Sequence, residues 1–358
     1  MRDNGTEHGM GTPGLPRPGV PRASQTVRGP GAARVLWTAG FVALMVSFTF
    51  FASSYHLFQL TMLVVYAVAV LGMTILTGYN GQISLGHGAF FAIGSYTTAI
   101  LMANYDWPYW ATLPVAAVAS AFVGFLVGFP ALRLGGLYLA LTTFALAVAI
   151  PQILKVNALS DYTGGVQGLT MDKAEAPFHL PLTGDQWIYL FTLAVGCLVF
   201  LVAWNLTRGR TGRSMKAVRE HPVAAEAMGI SLAALKTRTF AVSAMFTGIA
   251  GALSSIAVQF VAPDSFNFFL SITLFVGLVV GGVDSIPGAL FGGAFIEFIP
   301  NIANDISKAA PGAIYGAILI ACMFLMPRGV GGAIDALLRR RAARAAEGAK
   351  LAGAPAAR

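Results

Sequence analysis

Long runs of apolar residues, separated by short polar segments, constrain this chain more than any other feature of its sequence. Most of these runs approach the roughly 20 residues that a helix needs to cross a hydrocarbon core about 30 Å thick. Only 11% of the 358 residues are charged and 56% are hydrophobic, whereas about 25% of the residues in a soluble domain are charged. A chain with so little polar surface cannot stay folded in water, so the sequence predicts an all-α polytopic membrane protein.

The apolar runs predict the positions of the spans. These are 35–52, 57–77, 84–103, 109–130, 135–154, 187–205, 239–261, 266–283, 286–303 and 312–327. The eighth and ninth are interrupted by glycine and proline and are separated only by the turn around Asp284. They could form one re-entrant pair, because non-helical backbone inside a membrane is tolerated where protein or a water-filled cavity surrounds it. The prediction is therefore a bundle of about eight to ten transmembrane helices.

The basic residues predict the orientation of these spans. If both termini are cytoplasmic, every Lys and Arg except Lys155, Lys173 and Lys308 falls in a cytoplasmic segment. The outside then carries those three lysines beside Asp106, Asp161, Asp172, Glu175, Asp185, Asp264 and Asp305. This asymmetry follows the positive-inside rule, and it accounts for the net charge of +8 without nucleic acid as a partner.

The composition divides the chain into three parts. Residues 1–33 are rich in glycine and proline, cannot bury enough apolar surface to fold, and are predicted to be a disordered cytoplasmic tail. Residues 34–333 form the transmembrane domain, in which 206–238 is the cytoplasmic loop and 155–186 the extracytoplasmic loop. Residues 334–358 form a basic, alanine-rich C-terminal tail.

Motifs for several kinds of chemistry are missing from the sequence. No lysine follows a glycine, so the chain has no GxxxxGK[ST] loop for ATP. No histidine precedes a glutamate, which excludes HExxH, and no serine lies in GxSxG. The two cysteines, Cys197 and Cys322, lie inside apolar spans, where a thiol behaves as a small hydrophobe. The sequence therefore predicts no catalytic site, metal site or disulfide.

Few ionisable groups lie deep inside the predicted spans: Glu297 is the only acidic residue there and His87 the only histidine. Asn80, Gln82, Ser84 and His87 begin the third span, and Glu297 lies deep in the ninth. Intramembrane polar groups often mark a solute pathway, but helix packing explains them equally well. His87 could be a packed histidine bonded to a backbone carbonyl, and Glu297 could reach a neighbouring helix or the outer interface.

The cytoplasmic loop is patterned. Arg213, Lys216 and Arg219 recur every three residues, while Met215 and Val218 occupy another helical face. Proline suits a first helical turn and glycine suits a left-handed C-terminal cap, so Pro222 and Gly229 predict a short helix over Val223–Met228. Isolated helices below about 12 residues are marginal in water. This helix therefore either lies in a partner's groove or packs on its own bundle.

The same stretch, GRSMKAVREHPVAAEAMGI (212–230), resembles the coupling loop of the LivM-type branched-chain amino acid permease family of ABC importers. The broader ABC importer motif places Glu before two alanines, whereas Glu226 follows Ala224 and Ala225 here, as suits the Liv-type subgroup. Further stretches resemble the family in order along about residues 58–332. They are GYNGQISLGHGAFFAIGSYTTAIL (78–101), LRLGGLYLALTTFA (132–145), TGGVQGL (163–169), GGVDSIPGALFGG (281–293) and MPRGVGG (326–332).

The resemblance implies a machine with several subunits. In such a machine this chain is a permease subunit of the bacterial inner membrane that pairs with a sister permease. Two cytoplasmic ABC ATPases bind ATP and Mg, an extracytoplasmic binding protein delivers the solute, and this chain is not an enzyme and binds no cofactor. The resemblance assigns ATPase coupling to Arg213, Arg219, Pro222, Val223, Ala224, Ala225, Glu226, Ala227, Met228 and Gly229.

The solute remains open between related classes. Branched-chain amino acids are the first expectation, and urea, short amides or other small organic solutes are the second. An independent channel or secondary carrier is a third reading, which the coupling loop argues against. An intramembrane enzyme is the least favoured, because the sequence shows no cluster of acid, base, nucleophile and metal ligands.

Overall fold

The computed structural model describes residues 40, 45–47, 49–130, 136–176, 182–308, 310–325 and 329–333. The chain divides into two compact units, Met1–Ser47 and Phe48–Arg358. Of the first unit only residues 40 and 45–47 are described, and they are helical. The predicted tails 1–33 and 334–358, and most of the predicted span 35–52, lie outside the described residues.

The second unit is built almost entirely from helices. They are α1 (Ser54–Met73), α2 (His87–Tyr105), α3 (Tyr109–Gly128), α4 (Leu137–Leu154), α5 (Ser160–Thr163), α6 (Gly184–Arg208), α7 (Arg210–Glu220), α8 (Pro222–Ala227), α9 (Leu232–Val258), α10 (Phe268–Gly281), α11 (Ile286–Ile306) and α12 (Pro311–Leu325). A π-helical turn, Thr74–Tyr79, extends α1, and 3-10 turns cover Asn157–Leu159 and Pro263–Phe266. Two-residue strands β1 (Leu169–Thr170) and β2 (Phe260–Val261) pair antiparallel.

Each of the nine predicted spans after the first coincides with a described helix. Within the described ranges, six helices are long and apolar enough to cross a membrane. The largest difference is that α9 begins at Leu232 rather than at 239. The first turns of α9 carry charged residues, so hydropathy does not detect them as part of a span. The helix nevertheless starts there, where the Ser231 side chain caps it by accepting a hydrogen bond from the Ala234 N–H.

Helix α1 forms the centre of the second unit. Its residues are apolar on all sides, and a helix of this kind belongs inside a protein rather than at its surface. Accordingly, α6, α9 and α11 pack around α1, and most of its side chains from Met62 onward are buried. The core therefore surrounds the helix that leads into the candidate site.

Small residues bring α2 and α9 into backbone contact. A Cβ placed on Gly94 would overlap the carbonyl group of Gly248. Nearby, the Ser95 hydroxyl donates a hydrogen bond of 2.7 Å to the Gly251 carbonyl oxygen. Close approach with interhelical hydrogen bonds is how helices associate where lipid supplies no hydrophobic driving force.

Helices α10 and α11 form a tight antiparallel hairpin. Gly281 lies against Gly288, and Gly277 lies against Gly292, so the backbones touch along the hairpin. The 14 residues of α10 rise only about 21 Å, less than the roughly 30 Å of a hydrocarbon core. The pair predicted at 266–303 thus consists of two separate helices, of which α10 by itself is too short to cross.

The two ends of the second unit carry different elements. At one end, which we call the strand end, β1 pairs with β2, Lys155 pairs with Asp264, and Lys173 pairs with Asp185 at 2.7 Å. At the other end, which we call the α8 end, α7 lies beside the π-helical turn and the α10–α11 turn, and α8 packs against α7 and α9. The predicted coupling residues lie at the α8 end.

Candidate coupling and pathway site

The segment predicted as the coupling loop, 206–238, is helical over most of its length. Helix α6 extends into it, α7 and α8 fill it, and α9 starts within it. Gly212 lets α7 turn back closely against the end of α6, because a Cβ there would overlap the carbonyl group of Thr207. The segment is therefore a folded surface element with a defined position at the α8 end.

Helix α7 is amphipathic, as its sequence predicts. Met215 and Val218, on the predicted apolar face, are 1% and 2% exposed. The basic side chains of the helix are Arg210, Arg213, Lys216 and Arg219. The apolar face fixes α7 to the bundle, and the remaining surface of the α8 end is strongly basic.

The short helix α8 has the caps that its sequence predicts. Pro222 occupies its first turn. At its end the Ile230 N–H donates to the Ala225 carbonyl and the Gly229 N–H to the Glu226 carbonyl, which is the Schellman arrangement. Gly229 has φ +83°, a left-handed conformation that other L-residues adopt at a cost. The predicted helix and the predicted conformation of its cap are both confirmed.

Helix α8 buries little of itself. Only Ala225 is buried among its residues, whereas Val223 and Met228 are 81% and 83% exposed. Val223 on this helix and Met228 directly after it are thus exposed apolar side chains, with small alanines between them. Within this chain α8 is thus anchored by one alanine and presents its other side outward.

The two arginines predicted at the coupling site have different surroundings. The Arg213 guanidinium donates a hydrogen bond of 3.4 Å to the Arg208 carbonyl, within the same surface segment. The Arg219 guanidinium instead donates to the Gly78 carbonyl and forms an ion pair with Asp284. Arg219 therefore connects α7 with two other parts of the bundle.

A non-helical segment, Asn80–Gly86, interrupts the bundle between the π-helical turn and α2. The predicted span 84–103 thus begins as a helix only at His87. Gln82 and Ser84 are buried, whereas Gly81 and Ile83, which alternate with them, are exposed. This alternation is typical of an extended chain, and it places the predicted polar residues on the inward side.

Protein groups satisfy much of the backbone of this segment. The Gln82 N–H donates to the Leu76 carbonyl, and the Gln82 carbonyl accepts from the Thr77 hydroxyl. The Leu85 N–H donates to the Thr143 hydroxyl of α4 at 3.0 Å. Such support is what non-helical backbone requires within a membrane protein, so the break in the helix is a built feature of the fold.

The segment reaches deep into the bundle. It ends where α2 begins, and His87 lies against Ser243 of α9. Ser243 lies 11 residues after Leu232, which corresponds to about 16 Å along α9 from the α8 end. The segment therefore connects the surface of the α8 end to a point near mid-depth.

His87 is fully buried and has one occupied ring nitrogen. Its Nε2 lies 2.8 Å from the Ser243 hydroxyl, which in turn donates to the Gly72 carbonyl at 2.7 Å. Because the serine proton is used in that bond, its oxygen accepts from His87, which assigns the proton to Nε2. Among the described residues the Nδ1 atom has no hydrogen-bond partner, so His87 presents a free acceptor inside the bundle.

Two amides add to these unpartnered polar groups. Asn80 is 3% exposed, and neither of its amide atoms has a hydrogen-bond partner in the described part of the chain. The same holds for Oε1 of Gln82. Buried polar groups are normally paired, so these atoms are suited to water or to a polar solute.

Glu297 lies apart from the other predicted pathway residues. It belongs to α11, which packs on α1, α10 and α12, and its carboxyl group is half-buried within electrostatic reach of Tyr66 on α1. The structure thus places Asn80, Gln82 and Ser84 in the non-helical segment with His87 directly after it, and Glu297 on another helix.

Several residues that complete the site were not predicted. Thr143 bonds to the segment, Ser243 bonds to His87, the Ser271 hydroxyl of α10 accepts from the Gly88 N–H at 2.9 Å, and Asp284 pairs with Arg219. Each is a polar residue in an otherwise apolar stretch or turn, which was the available signal. No group of three His, Cys, Asp or Glu side chains in the described ranges could hold a metal ion.

Comparison with known proteins adds to this geometry. The family described as "Branched-chain amino acid transport system / permease component" matches residues 55–326. The high-affinity branched-chain amino acid transport system permease protein LivM of Salmonella typhimurium is 30% identical, over 82% of this chain and 74% of that protein. LivM of Escherichia coli is 29% identical over the same shares. A probable LivH permease of Methanocaldococcus jannaschii is 26% identical, over 73% and 87%. No solved structure gives a significant match.

Proposed function

This chain belongs to the branched-chain amino acid transport system permease family, and from that premise we propose that it imports leucine, isoleucine and valine. It does so as a membrane subunit of an ATP-driven, binding-protein-dependent ABC importer. The relatives are named permease proteins of branched-chain amino acid transport systems, and the chain is a multi-pass membrane protein. The energy for transport has to come from a partner, because this sequence carries no phosphate-binding loop.

The observation that carries this proposal is the surface of α8. It presents Val223 and Met228 to the surroundings at the end of the bundle where the basic residues of α7 also lie. A short helix with exposed apolar anchors of this kind suits a groove on a partner. In the proposed complex the groove belongs to an ATPase, Glu226 pairs with a basic residue there, and the α8 end faces the cytoplasm of a bacterial cell.

The complete machine has further subunits. A sister permease pairs with this chain, two ATPases bind ATP and Mg, and an extracytoplasmic binding protein docks at the strand end. This chain itself needs no cofactor. Closure of the ATPase dimer displaces α8, and α7 and α9 pass that displacement to the bundle, which changes between inward-open and outward-open states.

The segment Asn80–Gly86 is the proposed lining of the solute pathway. It runs from the α8 end to about mid-depth, and its buried amides and His87 offer hydrogen bonds that no described residue uses. A zwitterion with an apolar side chain needs weak polar contacts that can be released, rather than a deep charged site. Glu297, on α11, lies outside this segment, and its place in the pathway stays a prediction.

Reconstitution tests the function. The chain, co-expressed with its sister permease, both ATPases and the binding protein, should support uptake of labelled leucine into proteoliposomes. Uptake should require ATP and the binding protein. Uptake of urea or an amide in place of leucine would contradict the proposed solute and leave the importer standing, whereas transport by this chain alone without ATP would refute the importer.

The pathway has its own test in the same assay. His87→Leu removes the free acceptor, and we expect leucine uptake to fall about tenfold or more, since one lost hydrogen bond with a desolvated partner costs about 1–3 kcal/mol. Thr142→Val on α4, whose hydroxyl bonds its own helix, removes an exposed hydroxyl and should leave uptake unchanged. Equal uptake by His87→Leu and wild type, at equal amounts of assembled complex, would exclude His87 from the pathway.

A further inference from the structure

Arg219 joins three elements of the α8 end. Its guanidinium donates to the carbonyl of Gly78 in the π-helical turn and pairs with Asp284 in the α10–α11 turn. Its aliphatic stem lies against Gly81, where a Cβ would approach the Arg219 Cγ to 2.9 Å. One side chain of α7 thus touches the start of the non-helical segment and the turn of the helical hairpin.

The neighbouring residues of α7 support the same contact. Met215 and Val218 are buried, and the Lys216 ammonium lies 5.0 Å from the centre of the Tyr79 ring, within the range of a cation–π interaction. Helix α7 is therefore fixed to the π-helical turn by apolar and polar contacts together. A shift of α7 would move the turn that leads into Asn80–Gly86.

The two partners of Arg219 lead to that segment by different routes. Gly78 precedes Asn80 by two residues. Asp284 follows α10, and α10 holds the other end of the segment, because the Ser271 hydroxyl accepts from the Gly88 N–H. A force applied through Arg219 would therefore reach the segment from both of its ends.

We propose that Arg219 is the positioning residue that transmits the movement of α8 to the segment Asn80–Gly86. This inference rests on the proposed function, because it needs an ATPase that moves α8. An ion pair whose side chains are 36% and 61% exposed contributes little to folding stability. Its geometry, which bridges elements far apart in the sequence, is what suits it to transmission.

The first test compares uptake with ATP hydrolysis in the reconstituted complex. Arg219→Ala should assemble and hydrolyse ATP, while the leucine taken up per ATP falls about tenfold, a usual size for coupling between two sites. Arg219→Lys should recover part of this ratio through its charge, and Arg219→Asp combined with Asp284→Arg should recover more than Arg219→Asp alone. Arg210→Ala, at the exposed start of α7, removes the same charge and should leave the ratio unchanged.

The second test does not depend on the solute. Ile83 is the exposed apolar residue of the segment, and Ile83→Cys, in a chain with Cys197→Ala and Cys322→Ala, reports its movement through the rate of maleimide labelling. With ATP and vanadate the rate should change in the parent complex and stay constant in Arg219→Ala.

The outcomes separate the two proposals. A parent complex that takes up no leucine but whose labelling responds to ATP refutes the proposed solute and leaves the role of Arg219 to be decided by the labelling. An Arg219→Ala complex whose labelling responds like the parent, or whose uptake per ATP is unchanged, overturns the inference. A parent complex whose labelling rate does not change with ATP also overturns the inference.

Discussion

Replacing Val223 and Met228 together by aspartate should abolish ATP-dependent uptake and release the ATPase from the complex. Burying each apolar side chain in a partner's groove contributes about 1.5–3 kcal/mol, and each aspartate adds a charge that the groove would have to desolvate. We therefore expect the affinity for the ATPase to fall at least about a hundredfold. The measurement is ATPase binding to the permease pair in nanodiscs, together with uptake in proteoliposomes.

The control keeps the apolar surface and changes only its shape. Val223→Leu with Met228→Leu should retain binding within a few fold, because both side chains lie in open surroundings within this chain. Thermal unfolding of the permease should be the same for both double variants, since exposed positions contribute little to stability. Aspartate variants that bind the ATPase as wild type does would show that α8 is not its docking helix.

Local signals allowed α8 to be predicted from the sequence. Pro222 and Gly229 act through the backbone of their own turns, and the residues that they cap are neighbours in the chain. The same is true of the apolar face of α7, which follows from helical spacing alone. Features determined within one or two turns are therefore available from a single sequence.

The break before α2 could not be predicted in the same way. Hydropathy averages over a window, so it placed Ser84 inside a span, although the helix starts at His87. The groups that hold the segment are far away in the chain: Thr143 is 58 residues from Leu85, and Ser243 is 156 residues from His87. Only the packed fold shows which polar residue meets which.

The glycines of α10 and α11 show the same limit. Their presence in the sequence raised the possibility of a re-entrant pair, because glycine weakens helices. In the fold, Gly277, Gly281, Gly288 and Gly292 lie inside regular helices at the contact between them. Their role is close packing, and a sequence alone does not distinguish a glycine that breaks a helix from one that lets two helices touch.

A second large effect is expected where a glycine lets two helices touch, at the contact of α2 with α9. Gly94→Ala should lower the free energy of unfolding by about 1–3 kcal/mol, the usual cost of overpacking a core. The added Cβ would overlap the carbonyl of Gly248, and backbone cannot move aside as a side chain can. The two helices would have to separate, which also weakens the bond from Ser95 to Gly251.

A glycine-to-alanine substitution should change the free energy of unfolding in the opposite direction elsewhere in the chain. At Gly316 of α12 a Cβ would meet no atom within 4 Å, so Gly316→Ala should stabilise its helix by about 1 kcal/mol through helix propensity alone. Denaturation of both variants in the same detergent tests the pair. Gly94→Ala as stable as wild type would show that α2 and α9 pack less closely than their backbones indicate, whereas a loss at both glycines would point to a general intolerance of alanine. A loss of stability at Gly94 together with a gain at Gly316 would assign the effect at Gly94 to the contact between α2 and α9. The same two helices bring His87 to Ser243.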